Sequence, residues 1–294
     1  MMTDFAVDTW RSKIWRRVKR IMIPYVCWNV LFVVFYLIAG LFVPRMAARV
    51  SSFGLDTVAG VLGKVLSFTI HPIDGPLWFL RSIFLYSLAA PLIYFCIKTK
   101  CLLWALIGYI GVTYGSGVEK YLEGSYPVYS IICYSLGAFF AQRGLDPTVV
   151  FSGWKWRVIG VAGTFVWFIE MLGASSPGGW LVLSDWLISI LKLIGAMLGL
   201  PLLWAFIVPI DSALSGRGWF VFISKASFFI YAGHFLFCSV ALHSIAPHIA
   251  WMGVGKMSVL VLTFCGLGLV LCLSFYALAR RLMPRLIKFL DGSL

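Results

Sequence analysis

Ser224, Ser227, Tyr231 and His234 stand three, four and three residues apart in a run whose other members, Lys225 aside, are apolar or small. On an α-helix that spacing lays all four along one face. A polar stripe on a helix in a bilayer has to meet protein or water, because lipid offers no hydrogen-bond partner. Such a stripe is either interhelical glue, worth under about 2 kcal/mol per contact, or one wall of a reaction cavity. In a cavity, His234 would act as general base or orient a substrate. A second set of polar residues gathers near a boundary. His71 and Asp74 precede the apolar stretch GPLWFLRSIFLYSLAAPLIYF (Gly75–Phe95), and Arg81 lies inside it. A charge at the centre of a span costs roughly 2.5–3.5 kcal/mol. Arg81 therefore has a partner, water or ligand, or else it snorkels to the interface about one helical turn away. Glu170, Asp185 and Lys192 fall at similar depth in later runs. With His71, Asp74 and Arg81 they either ring one outward-facing polar site or pair off as structural ion pairs. Trp78 and Phe79 sit where an interfacial aromatic anchor belongs.

The elements that must position these residues are membrane spans. The chain has 294 residues, 61% hydrophobic and 12% charged, which excludes disorder and ordinary soluble domains. Its formal net charge of +13 would suit nucleic acid, but the charges cluster between apolar runs, as membrane topology requires. The seven cysteines are odd in number and mostly intramembrane, with no CxxC or Cys/His metal spacing, so neither a disulfide framework nor a metal site is expected. The first apolar run begins at Ile21, is longer than a signal-peptide core and has no Ala-x-Ala site, so it reads as a permanent span. No Walker A, GxGxxG, GxSxG or HExxH motif is present.

The runs predict an all-α polytopic transmembrane helical bundle of about eight spans in one domain over residues 1–294. The predicted spans are Ile21–Phe42, Leu77–Ile97, Leu102–Val118, Val128–Gln142, Val158–Leu172, Trp186–Val208 with a kink at Pro201, Phe220–Leu242 and Ser258–Leu278. Phe53–Ile70 reads as an interfacial helix. Eight spans put both ends on one side. The loops of that side hold 17 of the 24 Lys and Arg residues, and the opposite loops hold five, so both termini are expected in the cytoplasm. There is no internal repeat of the transporter kind. Gly111-x-x-x-Gly115 and Gly195-x-x-x-Gly199 offer close helix packing without implying function.

Three segments together resemble the acyltransferase 3 family, integral membrane enzymes that move acyl groups onto sugars. RRVKRIMIPYVCWNVLF (Arg16–Phe32) is similar to the basic run and Pro-Tyr that open an early span there. Gly75–Phe95 resembles the family signature, and SKASFFIYAGHFLF (Ser224–Phe237) its late Ser-x-x-Ser-x-x-x-Tyr-x-x-His span. The resemblance implies transfer of an acyl group, acetyl above all, from acyl-CoA as co-substrate to a hydroxyl of a surface or envelope saccharide. It also implies residence in the bacterial inner membrane, with no resident cofactor, no metal and no nucleic-acid partner. It assigns Arg17 and Arg20 to the donor, and guanidinium forks suit the phosphates of CoA; the same run also serves as a positive-inside anchor. Trp78, Arg81, Tyr231 and His234 would line the substrate path. The family's catalytic histidine lies in an Arg-x10-His motif on a helix ahead of the Arg16–Phe32 segment, followed by one more helix. None of His71, His234, His243 or His248 carries that motif. No catalytic base transfers by resemblance, His234 is the candidate within this sequence, and residues 1–294 alone are expected not to turn over. From another class, a non-catalytic protein that handles or exports polysaccharide precursors is the alternative.

Overall fold

Inside a bilayer the backbone has to satisfy itself, and the described parts of the eight predicted apolar runs fold as helix. The computed structural model describes residues 7–66, 72–115, 126–175, 185–249 and 254–292. In chain order the helices are α1 (Val7–Arg17), α2 (Ile23–Phe42), α3 (Pro44–Ser52), α4 (Val58–Leu66), α5 (Trp78–Leu88), α6 (Ala90–Lys98), α7 (Leu102–Gly115), α8 (Tyr126–Arg143), α9 (Pro147–Val150), α10 (Trp154–Ser175), α11 (Asp185–Leu214), α12 (Gly218–Ile249), α13 (Val254–Leu282) and α14 (Pro284–Leu290). A π-turn, Val18–Met22, joins α1 to α2, and a 3-10 turn, Gly75–Leu77, leads into α5. The described residues contain no strand, and the fold is an all-α helical membrane bundle. Among them Asp8–Phe42, Met197–Leu214, Gly218–Leu236 and Leu262–Leu282 are long and apolar enough to cross a membrane, with α5 and α6 a fifth crossing if they form one broken span.

Three local departures from the expected pattern have physical causes. The second predicted span breaks at Ala89 into α5 and α6. Pro91 has no N–H to offer the carbonyl of Ser87, four residues back. That carbonyl accepts instead from the indole N–H of Trp10, at 3.0 Å. The loop before Asp74 holds two helices, α3 and α4, where one over Phe53–Ile70 was expected. Pro44 at the first turn starts α3, and residues 67–71 lie outside the described set. At the start of the chain, helix begins by Val7 and runs through the π-turn into α2, so the basic segment is helical.

The packing divides the chain into two compact units. One comprises Val7–Leu88 and Val221–Leu294. Its core is the face of α2 bearing Tyr25, Trp28, Phe32, Val33 and Tyr36, together with Ala226, Phe229 and Ala232 of α12, Tyr276 and Ala279 of α13, and Ile287 and Leu290 of α14. Trp28 meets Phe229 edge-on at 5.1 Å, and Phe32 stacks on Phe235 at 6.1 Å. In lipid such contacts stabilise through dispersion, not through expulsion of water. The other unit contains Ala89–Phe220. There α10 crosses α11 so closely that a Cβ on Gly163 would lie 2.4 Å from Cβ of Leu198, and one on Gly160 2.6 Å from Cβ of Leu202. Phe151 stacks on Trp204 of α11 at 5.3 Å. Of the glycines marked in the sequence, Gly111 has no described atom within 4 Å of an added Cβ, whereas Gly199 lies in this crossing, its backbone nitrogen 2.9 Å from a Cβ on Gly163.

Candidate functional site

In the unit built from Val7–Leu88 and Val221–Leu294, the start of α5 meets α12. The Tyr231 hydroxyl donates to the carbonyl of Pro76 in the 3-10 turn. The rings of Phe79 and Tyr231 meet edge-on at 6.4 Å, and Trp78 lies 5.8 Å from Phe79. His234 follows Tyr231 by one turn, with the two rings 6.5 Å apart. Its Nδ1 lies 2.7 Å from the Tyr231 carbonyl and 3.0 Å from that of Ile230. A carbonyl only accepts, so Nδ1 carries the proton and donates. In the neutral ring the lone pair is then on Nε2, the tautomer a general base needs.

Asp74 caps the 3-10 turn by position but not by contact, since its side chain makes no capping hydrogen bond. It is fully buried, and neither carboxylate oxygen accepts a hydrogen bond among the described residues. Burial pushes its carboxyl from 3.8 up to about 8. The carboxyl lies within electrostatic reach of the Tyr231 phenol. Arg81, one face further along α5, is buried at 8% exposure and engaged within the fold; it does not snorkel into the open. On α2, Asn29 is fully buried, with its amide N–H bound to the Tyr25 carbonyl at 3.0 Å and its carbonyl oxygen without a donor among the described residues.

At the basic end of the same unit, Arg17 is half-buried and donates through Nη1 to the Ser87 hydroxyl, which in turn donates to the Ile83 carbonyl at 2.5 Å. Arg20 lies in the π-turn and is exposed. A π-turn inside a helix is often a functional feature.

The structure thus brings Tyr231 and His234 together, adds Asp74, sets Trp78 beside the Phe79 that meets Tyr231, and places Arg17 and Arg20 at another part of the unit. Along the four-residue stripe, Ser224 and Ser227 are exposed, while Tyr231 and His234 are half-buried. Of the boundary group, Asp74 and Arg81 lie in this unit, whereas His71 and the side chains of Glu170, Asp185 and Lys192 fall outside the described residues. Sequence reasoning passed over Asn29 and Ser87. A lone Asn or Ser in an apolar run is the available signal, and it does not distinguish a site from interhelical glue.

Compared with known proteins, the chain matches the acyltransferase 3 family model, described as an acyltransferase domain, over residues 2–279. No curated protein and no solved structure matches it.

Proposed function

The chain belongs to the acyltransferase 3 family and is a membrane acyltransferase, and from that premise we propose that it moves an acyl group, acetyl in the first instance, from acyl-CoA to a hydroxyl of a surface or envelope saccharide. The observation that carries this reading is spatial. Arg16–Phe32, Gly75–Phe95 and Ser224–Phe237 lie far apart in sequence, yet residues from all three meet in one unit. The links are Arg17 on Ser87, Trp28 on Phe229, Phe32 on Phe235, and Tyr231 on Pro76. An acyl transfer that begins with a cytoplasmic thioester and ends on a sugar needs a donor end and an acceptor end joined by one set of helices, and the meeting of the three segments in one unit supports that reading.

In this reading the acceptor hydroxyl oxygen attacks the thioester carbonyl carbon. The hydroxyl proton passes to Nε2 of His234, the C–S bond breaks, and CoA leaves as thiolate. Tyr231 holds the turn before α5, and Trp78 and Arg81 line the acceptor path. Arg17 and Arg20 hold the donor. The protein crosses the bacterial inner membrane eight times with both termini in the cytoplasm.

The test is acyl transfer from labelled acyl-CoA to envelope saccharide in native membranes that carry the protein. Residues 1–294 alone are expected not to turn over; turnover by them that His234→Gln lowers roughly 10²–10⁴-fold would overturn that expectation and make His234 the base. Saccharide that crosses the membrane without gaining acyl mass would favour a precursor-handling protein.

A further inference from the structure

Coenzyme A carries a diphosphate and a 3′-phosphate, three phosphates against the two arginines assigned to the donor. Arg17 is half-buried and spends Nη1 on the Ser87 hydroxyl, while Arg20 is exposed, with Arg16 and Lys19 exposed beside them. More cations stand nearby on the last part of the chain, beyond residue 279, where the family match stops.

That segment is fixed in place. In α14, Ile287 and Leu290 are 3% and 5% exposed and pack into the core with Trp28. The Trp28 indole N–H donates to the Leu290 carbonyl at 3.0 Å. Gly292 has φ +71°, and a Cβ there would stand 2.4 Å from the carbonyl oxygen of Arg20. Only glycine permits both the backbone conformation and the approach. The tail is therefore seated on the turn that presents Arg20. Ile287 and Leu290 share the inward face of α14, which leaves Arg285 and Lys288, also three apart, on its exposed side. At 1.5 Å per residue, Arg285 is only about 8 Å along the axis from Leu290. Asp291, the acidic side chain of this turn, is already engaged within the fold.

We propose that the C-terminal segment completes the donor site, with Arg285 and Lys288 joining Arg20 on the phosphates of acyl-CoA. The proposal rests on the acyl-CoA reading above. Two exposed cations on α14 supply further charge for the phosphates, and the seat of Gly292 on the Arg20 carbonyl ties their helix to the turn that carries Arg20.

The experiment measures binding of CoA and of pantetheine, which lacks every phosphate, to the full chain in nanodiscs of zwitterionic lipid. Arg285→Ala with Lys288→Ala should weaken CoA roughly 10- to 100-fold, leave pantetheine unchanged and flatten the salt dependence. Gly292→Ala keeps every charge but unseats the tail, and it should weaken CoA in the same direction. Wild-type CoA affinity in both variants overturns the proposal. So does unchanged CoA binding accompanied by lost affinity for phosphatidylglycerol vesicles, which would assign the cations to lipid headgroups. A wild-type protein that binds no CoA overturns the acyl-CoA reading itself, and the two failures are thereby separated.

Discussion

Asp74 concentrates the cost of this site in one side chain. Its carboxyl is buried without a hydrogen bond and titrates near 8, against 3.8 when unburied. The folded protein therefore binds a proton that the unfolded chain releases between about pH 4 and about pH 8. Stability should fall as pH rises through that window, by at most about 1.4 kcal/mol per pH unit, and level off above it. Asp74→Asn removes the titration, so the variant should melt above the wild type in detergent at pH 8, with the difference vanishing near pH 4. A wild-type melting curve independent of pH across the window would show that the carboxyl finds a partner. The donor arginines make a second prediction at this scale. Arg17→Ala with Arg20→Ala should raise the apparent KM for acyl-CoA at least 10-fold in a protein that still inserts. An unchanged KM would leave the basic run as a topology signal alone.

Among the elements, the crossing of α10 and α11 gives the sharpest expectation. Replacing glycine by alanine inside a helix gains roughly 0.5–1 kcal/mol from backbone entropy, whereas overpacking a tight contact costs about 1–3 kcal/mol. At Gly163 the added carbon meets Leu198 at 2.4 Å, so the clash outweighs the gain and Gly163→Ala should lower the melting temperature. At Gly111 no atom of the described residues lies within 4 Å, and the same substitution should be neutral or stabilising. Equal effects at both positions would show that the crossing is not tight. This contrast also marks how far the sequence could be read. Apolar runs and Pro24 at the head of α2 were legible, because length and hydropathy alone decide a span. Which glycines touch a neighbour was only partly legible, because it depends on the partner helix: the Gly-x-x-x-Gly spacing marks Gly199, which lies in the crossing, but not Gly160 and Gly163, where an added carbon would clash. The break at Ala89 was half legible. Pro91 announces it, but the partner of the freed Ser87 carbonyl is Trp10, 77 residues away. In the site, Tyr231 and His234 were found by their spacing. The burial of Asp74 was invisible, because a carboxylate beside Gly-Pro reads as an exposed turn until α12 is laid over it.

For the whole molecule, the 17-to-five division of basic residues predicts that a compartment reporter fused after Leu294 reports the cytoplasm, as does one after Lys98, while one after Lys64 reports the opposite side. An external signal from the Leu294 fusion would refute the eight-span topology. One feature of the architecture reaches past the mature protein. The unit that holds the candidate site is assembled from Val7–Leu88 and Val221–Leu294, with all of Ala89–Phe220 made in between. At a ribosomal pace of about 5–20 residues per second, α2 and α5 wait on the order of ten seconds for α12. Throughout that interval Asn29, Asp74 and Arg81, all buried in the folded unit, are in the nascent chain without α12 to α14. The insertion machinery must shelter these polar groups, and the site becomes continuous only when α14 emerges and Trp28 closes on Leu290. A lesion in the last helices should therefore first reduce how much chain survives synthesis, and specific activities of such variants are meaningful only per folded molecule.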